Sequence, residues 1–288
     1  MSLQRRPLQP LPTIMIEPLV KMGLLEDLGR AGDLTSDAIA PADMTATAAL
    51  VSRQPGVVAG LDLAGIAFRL IDDSVTIVRH RHDGDKVVAG DAIAEIRGPA
   101  RAILTAERTA LNFLCRLSGI ASATASIVAT VVNTNTRIVC TRKTTPGLRA
   151  IEKYAVRAGG GVNHRFGLDD AVLIKDNHVA IAGGVTAALR RARTGVGHLV
   201  KIEIEVDTLA QLREALDHGI DAVLLDNMDT TMLAEAVAMV AGRALTEASG
   251  RITPATAPAI AATGVDLMSI GWLTHSVSIL DIGLDFEG

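Results

Sequence analysis

Four times in this chain a short apolar run closes on charged residues and a helix-like segment follows. The runs are Arg137-Ile-Val-Cys-Thr-Arg142-Lys143, Ala171-Val-Leu-Ile-Lys175-Asp-Asn, Val200-Lys-Ile-Glu-Ile-Glu205-Val-Asp and Ala222-Val-Leu-Leu-Asp226-Asn227. Runs this short and this apolar read as buried strands, and strands separated by single helices must pair in parallel through right-handed crossovers. Strands are expected at 137–142, 171–175, 200–206, 222–226, 244–248 and 267–271, and helices near 148–158, 184–193, 208–218, 229–241 and 254–263. A parallel barrel gathers the C-terminal ends of its strands on one face, the face that carries chemistry. Arg142, Lys143, Lys175, Glu205 and Asp226 would converge there. Six strands fall short of the eight of a full barrel, so an incomplete parallel α/β barrel competes with an open doubly wound sheet.

The first third reads differently. Residues 13–31 have the pattern of an amphipathic helix whose start is limited by Pro18, and Leu34-Thr-Ser and Pro41-Ala-Asp read as turns. Thr47-Ala-Ala-Leu-Val-Ser, Gly56-Val-Val-Ala-Gly and Val75-Thr-Ile-Val read as short strands, and residues 83–98, with turns at Asp83-Gly84-Asp and Ala89-Gly90-Asp, as the hairpins of a small β-layered domain. Thr105 is expected to cap a helix over Ala106–Leu114, with a second helix over about Ile120–Val132.

Composition narrows the class. With 288 residues, 49% of them hydrophobic but only 2% aromatic, the chain can bury a large core of Ala, Val, Leu and Ile, as α/β layers do. A net charge of -4 argues against a general nucleic-acid binder. Cys115 and Cys140 sit in apolar contexts and read as reduced, buried thiols. The start of the chain has no apolar run suited to a signal peptide, no uninterrupted apolar stretch approaches a membrane span, and a cytoplasmic enzyme is expected. Residues 1–12, with Pro7, Pro10 and Pro12, are expected to lack order.

The polar residues suggest a pocket for a small polyanion. Arg108, Arg142, Lys143, His164, Arg165 and Lys175 are its candidate cations, and Arg142 and Arg165 can each grip a carboxylate or phosphate with two parallel hydrogen bonds. Gly159-Gly-Gly161 lets the backbone of the loop before His164 approach a ligand. Glu205 and Asp226 could hold Mg²⁺, bind sugar hydroxyls or stabilise a developing cation, or else only neutralise Lys143 and Lys175. Glu203 alternates in phase with Glu205, so one of the two could be purely structural. Ala248-Ser249-Gly250 and Ser269-Ile270-Gly271 end the last two strands, where small residues expose backbone N–H groups to a phosphate, with His275 just beyond. His164, His178 and His275 lack metal-ligand spacing, which ranks a zinc site low. His80 and His82 read as a solvated strand face.

Thr105-Ala-Glu-Arg108-Thr-Ala-Leu-Asn, Thr141-Arg142-Lys143-Thr-Thr-Pro-Gly-Leu-Arg149, Gly159-Gly-Gly-Val-Asn-His164-Arg165, Leu173-Ile-Lys175-Asp-Asn-His178, Ile204-Glu205-Val-Asp, Leu225-Asp226-Asn227 and Thr274-His275-Ser-Val together resemble the quinolinate phosphoribosyltransferases, in unbroken order from about Glu26 to the end. The resemblance implies an α/β sandwich over 1–115, with the tail 276–288 packed back on it, and a barrel over 116–275. It implies transfer of a phosphoribosyl group from phosphoribosyl pyrophosphate to quinolinate with loss of CO₂, in NAD biosynthesis. It further implies a homodimer in which Arg108 serves the partner's site. Arg142, His164 and Arg165 would take quinolinate, with Lys143 and Lys175 nearby, and Thr141 would bind substrate. Glu205 and Asp226 would face the ribose and Mg²⁺, directly or through substrate, and Ala248, Ser249, Gly250, Ser269, Ile270, Gly271 and His275 would surround phosphate. Lys143, Lys175, Glu205 and Asp226 are the implied catalytic set. Ala248 departs from the serine or glycine expected there. Three rivals stand beside this reading: a molybdenum-transport paralogue of the same architecture, a Schiff-base aldolase using Lys175 or Lys143, and a non-catalytic anion-binding protein.

Overall fold

In the computed structural model, which describes residues 8–286, the elements follow in the order α1 (Thr13–Leu28), α2 (Leu34–Ile39), β1 (Thr45–Ser52), β2 (Gly56–Val57), α3 (Leu61–Ile71), β3 (Thr76–Arg79), β4 (Lys86–Val87), β5 (Ala92–Pro99) and α4 (Ala100–Thr130). There follow β6 (Arg137–Val139), α5 (Arg149–Ala158), β7 (Val172–Ile174), α6 (Asp176–Ala182), α7 (Val185–Gly195), β8 (Ile202–Val206) and α8 (Leu209–Leu216). The last are β9 (Ala222–Asp226), α9 (Thr230–Val240), β10 (Leu245–Ser249), α10 (Ala257–Ala261), β11 (Leu267–Ser269), α11 (Trp272–His275) and β12 (Ile282–Phe286). Contacts divide the chain into two units. One gathers the described residues up to Ala125, Ala150–Gly160 and the chain from Ser276; the other holds Ser126–Arg149 and Gly161–His275. The boundary thus falls after Ala125 rather than after residue 115, and Ala150–Gly160 joins the first unit together with the chain from Ser276. α5 joins the first unit because its buried polar groups bond there: Glu152 with Arg116 at 3.0 Å, and the Tyr154 hydroxyl donating to Asp83 at 2.7 Å.

The first unit is built on an antiparallel sheet in the order β12-β1-β5-β3. Several local expectations are corrected in it. α1 begins before Pro18, not at it; the proline costs one backbone bond, but Ile16, Val20 and Leu24, one turn apart, bury a continuous stripe. The expected turn at Leu34 is the helix α2, because Asp33 Oδ1 accepts the N–H of Ser36 at 3.0 Å as an N-cap. Leu61–Ile71, unassigned in the sequence, is the helix α3, capped by Asp83, which accepts from the N–H groups of Gly60 and Leu61 at 3.0 and 3.1 Å. The strands within 83–98 do not pair with each other: β4 pairs with β2, and β5 lies between β1 and β3. His80 and His82 are both exposed but follow β3 rather than lie on it.

The two helices expected around 106–132 are the single 31-residue α4. Thr105 lies inside it and donates to Asp33 Oδ2 at 3.0 Å instead of capping. Gly119 does not break it: a side chain there would come within 2.2 Å of the carbonyl oxygen of Ser278, so the glycine marks close chain approach. α4 is long and apolar enough to cross a membrane by length and composition, although Arg101, Glu107, Arg108 and Arg116 interrupt it, and it is the only such helix among the described residues. Its Ser118 and Ser122 hydroxyls accept the N–H groups of Ala59 and Val57 at 2.9 and 2.8 Å, which makes its length up to Ala125 a core helix of the first unit. Both cysteines are buried and neither is in a disulfide, and burial pushes the Cys115 thiol's pKa up. Expected disorder over 1–12 falls outside the described residues for 1–7; residues 8–12 form no regular element, and Arg157 donates to the Gln9 carbonyl at 3.0 Å.

The second unit is a six-stranded parallel sheet in the order β6-β11-β10-β9-β8-β7. From β7 to β11 each strand lies beside its predecessor in sequence, and β6 joins β11. A doubly wound sheet reverses its order at a switch point; this one never reverses and instead brings its first strand round to its last, as a barrel does. Between β6 and β7 there is no ladder, and one parallel bridge, Val139 to Val162, adds to β6 on that side. The barrel is incomplete there. Strands came out shorter than expected at 137–142 and 267–271, where Thr141, Arg142, Ile270 and Gly271 belong to the loops that follow. α6, with no buried residue and no apolar face, gave no periodic signal. Alternate residues of the sheet, among them Ile202, Ile204, Val206, Val223, Leu225 and Met268, are buried and form its apolar layer.

Candidate active site

The C-terminal strand ends and the loops that leave them enclose a cavity of about 610 Å³. It is lined by Thr141, Arg142, Lys143, His164, Arg165, Lys175, Glu205, Asp226, Ser249, Gly250, Ser269, Ile270, Gly271 and His275, all expected from sequence. Two expected residues are not there. Ala248 is 2% exposed within β10, since its side chain alternates away from those of Glu247 and Ser249. Arg108 is exposed on α4 in the first unit.

The loops are held by backbone bonds. Arg149 donates to Thr144 Oγ1 at 3.0 Å and to the Phe166 carbonyl at 3.2 Å, tying the loop of Arg142 to that of Arg165. The Asp170 carboxylate accepts the N–H groups of Phe166 and Gly167 at 2.6 and 3.0 Å; burial pushes its pKa up, but these bonds outweigh that and leave it below the usual range. Arg165 Nη1 donates to the Ala171 carbonyl at 2.9 Å. Lys143 is fixed from both sides of its peptide unit: its N–H donates to Thr141 Oγ1 at 3.0 Å, and its carbonyl accepts from Thr274 Oγ1 at 2.6 Å.

Arg142 and Arg165 form a cationic wall. The Arg165 guanidinium is held below its ordinary pKa, first by burial and then by the charge of Arg142. Each arginine keeps a buried Nε without a hydrogen-bond partner. Two partly desolvated like charges with unused donors are a poor arrangement for an empty structural pair and a good one for a bound dianion.

Opposite charges are placed separately. The Lys175 ammonium pairs with Glu205, and Asn227 Nδ2 donates to Asp226 Oδ2 at 2.5 Å. Asp226 lies beside Ser249 in the ladder. The loops after β9 and β10 are bent into left-handed backbone at Asn227 (φ 52°), Gly250 (φ 107°) and Arg251 (φ 49°). A side chain on Gly250 would come within 2.2 Å of Asn227 Oδ1, so only glycine lets these two loops meet. Strained non-glycine backbone concentrates at functional sites.

Sequence reasoning missed several lining residues: Asn227, Arg251, Ile252, Trp272 and, above all, Glu247. Glu247 is 1% exposed; burial, then the charge of Glu203, push its pKa up to about 7. Its one signal was a carboxylate inside an apolar strand. The expected metal candidates also separate. Among the described residues, the one group of three possible ligands within 4.8 Å is His164, Glu203 and Glu247. His178 is not a ligand candidate, since its Nδ1 accepts the N–H of Lys175 at 2.9 Å at the start of α6.

The family model described as "Quinolinate phosphoribosyl transferase, N-terminal domain" matches residues 33–118, and that for the "C-terminal domain" matches residues 120–285. The chain is 44% identical to a "Probable nicotinate-nucleotide pyrophosphorylase [carboxylating]" of Bacillus subtilis, over 94% of this chain and 93% of that protein. It is 45% identical to the "Nicotinate-nucleotide pyrophosphorylase [carboxylating]" of Mycobacterium leprae, over 92% and 95% of the two chains. The crystal structure of NadC from Streptococcus pyogenes superposes with a TM-score of 0.93 at 40% identity, covering 97% of this chain and all of that one.

Proposed function

The chain belongs to the quinolinate phosphoribosyltransferase family, and from that premise we infer that its cavity joins quinolinate to phosphoribosyl pyrophosphate, releasing pyrophosphate and CO₂ and leaving nicotinate mononucleotide. The observation that carries the assignment is the Arg142–Arg165 wall with its unused buried donors. A pyridine dicarboxylate supplies the two anionic groups that such a wall lacks. Lys143 and Lys175 extend the positive field toward the second anionic substrate.

The chemistry follows the charges. Glu205 and Asp226 sit at strand ends where the ribose would lie, and their negative charge stabilises the cationic character that C1 gains as pyrophosphate departs. Lys143, with a peptide unit fixed on both sides, is placed to meet the departing anion. Ser249-Gly250 and Ser269-Ile270-Gly271, with His275, offer small side chains and backbone N–H groups to the 5′-phosphate. Arg142 and Arg165 hold the ring carboxylates so that the pyridine nitrogen faces C1. Once that nitrogen is quaternary, it stabilises the ring carbanion left by loss of CO₂. No step requires a nucleophilic side chain, and Lys175, ion-paired to Glu205, lacks the apolar surroundings that a Schiff-base amine needs.

Mg²⁺ fits the donor set. Glu205 and Asp226 are partly exposed oxygen donors on a polar cavity, and Mg²⁺ is held by one or two carboxylates together with substrate phosphates. When bound, it adds positive charge to the pyrophosphate leaving group. The dimer belongs to the same proposal: Arg108, exposed on α4, is assigned to the site of a second copy. A cytoplasmic location is proposed with it.

The test is turnover of purified protein with quinolinate, phosphoribosyl pyrophosphate and Mg²⁺. Nicotinate mononucleotide and CO₂ in equal amounts, lost on chelation, are expected. Pyrophosphate release with a different base only would overturn the substrate. Binding without turnover would favour the anion-binding reading.

A further inference from the structure

The cationic wall stands over an anionic floor that the reaction leaves unused. Glu203 on β8 and Glu247 on β10 are 9% and 1% exposed. His164 Nε2 lies 3.0 Å from Glu203 Oε2 and 3.6 Å from Glu247 Oε1. Its Nδ1 accepts the backbone N–H of Arg165 at 2.7 Å. Nδ1 is therefore the acceptor, and the ring proton sits on Nε2, facing the carboxylates. Both ring nitrogens are engaged by the protein, and His164 works as a link between the floor and the backbone of Arg165. The Glu203 charge also acts directly on the Arg165 guanidinium. Glu203 Oε1 and Glu247 Oε1 are buried without a hydrogen-bond partner. A carboxylate retained only to hold the fold is expected to have its oxygens bonded; here the negative charge itself is the useful property.

We propose that Glu203 and Glu247 are positioning residues for the dicarboxylate site: through His164 they fix the backbone of Arg165, and the charge of Glu203 helps to hold two like-charged arginines together before substrate arrives. The proposal rests on the assignment of Arg142 and Arg165 to quinolinate. It places control of pyridine affinity on two carboxylates that act on the site through His164 and Arg165.

The test compares the full-length enzyme with Glu247→Gln and Glu203→Gln, which keep shape and remove charge. For folded variants the quinolinate KM is expected to rise about tenfold, the effect of losing roughly one hydrogen bond to a charged group. The KM for phosphoribosyl pyrophosphate and kcat should stay within about threefold, a split that a general loss of structure would not produce. Nitrogen-15 NMR of the His164 ring, assigned with His164→Gln, should show the Nε2–H form in the wild type and a changed ring signal in both variants. An unchanged quinolinate KM, or an equal rise in both KM values, would overturn the proposal. So would an Nδ1–H ring in the wild type, which decides the matter if neither variant folds. One tightly held metal ion per chain, removed only by strong chelation and absent from the variants, would overturn it in favour of a metal centre at the same three residues. If the wild type does not turn over quinolinate, the functional assignment fails instead, and the ring measurement still reads the His164 arrangement.

Discussion

The two ends of the barrel strands carry similar residues and treat them differently. At the N-terminal ends, Asp221 accepts the N–H of Ile202 at 2.9 Å and the Lys201 ammonium at 2.5 Å, and Asp266 accepts both the N–H and the hydroxyl of Thr246 at 2.8 and 2.7 Å. Each carboxylate there clamps a neighbouring strand. In the loops beyond the C-terminal ends, Arg142 and Arg165 each keep a buried polar atom unbonded, as do Glu203 and Glu247 within β8 and β10 beneath them. The same physics yields cohesion where partners are complete and binding capacity where they are withheld. An ion pair marks both ends, Lys201–Asp221 and Lys175–Glu205, so the presence of a pair does not separate them. The unbonded atoms do.

Replacing one arginine of the wall should have the largest effect. Arg165→Ala is expected to lower kcat/KM for quinolinate by about 10²–10³, as for truncating one partner of a buried charged contact, with the phosphoribosyl pyrophosphate KM little changed. Steady-state kinetics with each substrate varied checks this, and Arg142→Ala should behave alike. Next comes Glu205→Gln, expected to reduce kcat by about tenfold to a hundredfold through lost charge at the ribose; single-turnover rates would detect it. At the opposite end, Asp266→Asn should leave kinetics unchanged and cost about 1–3 kcal/mol of stability by leaving Thr246 poorly paired, read by denaturant melts. A kinetic defect there would break the contrast between the two ends.

The smallest effect is a pH effect. For Asp221, burial pushes the pKa up, but its bonds to Lys201 and Ile202 win and leave it below the usual carboxylate range. The unfolded chain therefore binds this proton more readily than the folded one. The contribution is present above the ordinary aspartate pKa of about 4 and fades as pH falls through the lower folded value. The stability gap between wild type and Asp221→Asn should narrow on acidification. Finally, Trp272, the only tryptophan in the chain, lines the cavity and donates to the Ile252 carbonyl at 2.8 Å. Its fluorescence should report phosphoribosyl pyrophosphate binding, and Asp266→Asn should leave that titration unchanged.

What could be read in advance followed from local pattern. The barrel strands alternate with helices at clear intervals and end in charges, so β8 and β9 and the residues at their ends were legible. α3 was not, because Leu61, Leu63, Ala64, Ile66, Ala67 and Phe68 are all buried and the usual polar face is missing. α2 hinged on one capping side chain, Asp33. Glu247 escaped because attention to strand ends passes over a residue two positions earlier, whose meaning depends on Glu203 from another strand and His164 from a loop. Asn227 and Arg251 carry left-handed backbone that their residue types do not advertise.

β12 pairs with β1 along Ala48–Ser52, and Arg53 reaches Asp285, 232 residues away, with two bonds of 2.9 and 2.5 Å. During synthesis β1 leaves the ribosome more than 200 residues ahead of its neighbour on that side. Until then β1 presents an open edge able to pair with other chains. From β7 to β11 the barrel strands have no such wait, since each pairs with the next strand in sequence; only β6 waits, for β11. Translation speed and chaperone access should therefore matter most for the sheet that β1 and β12 complete together.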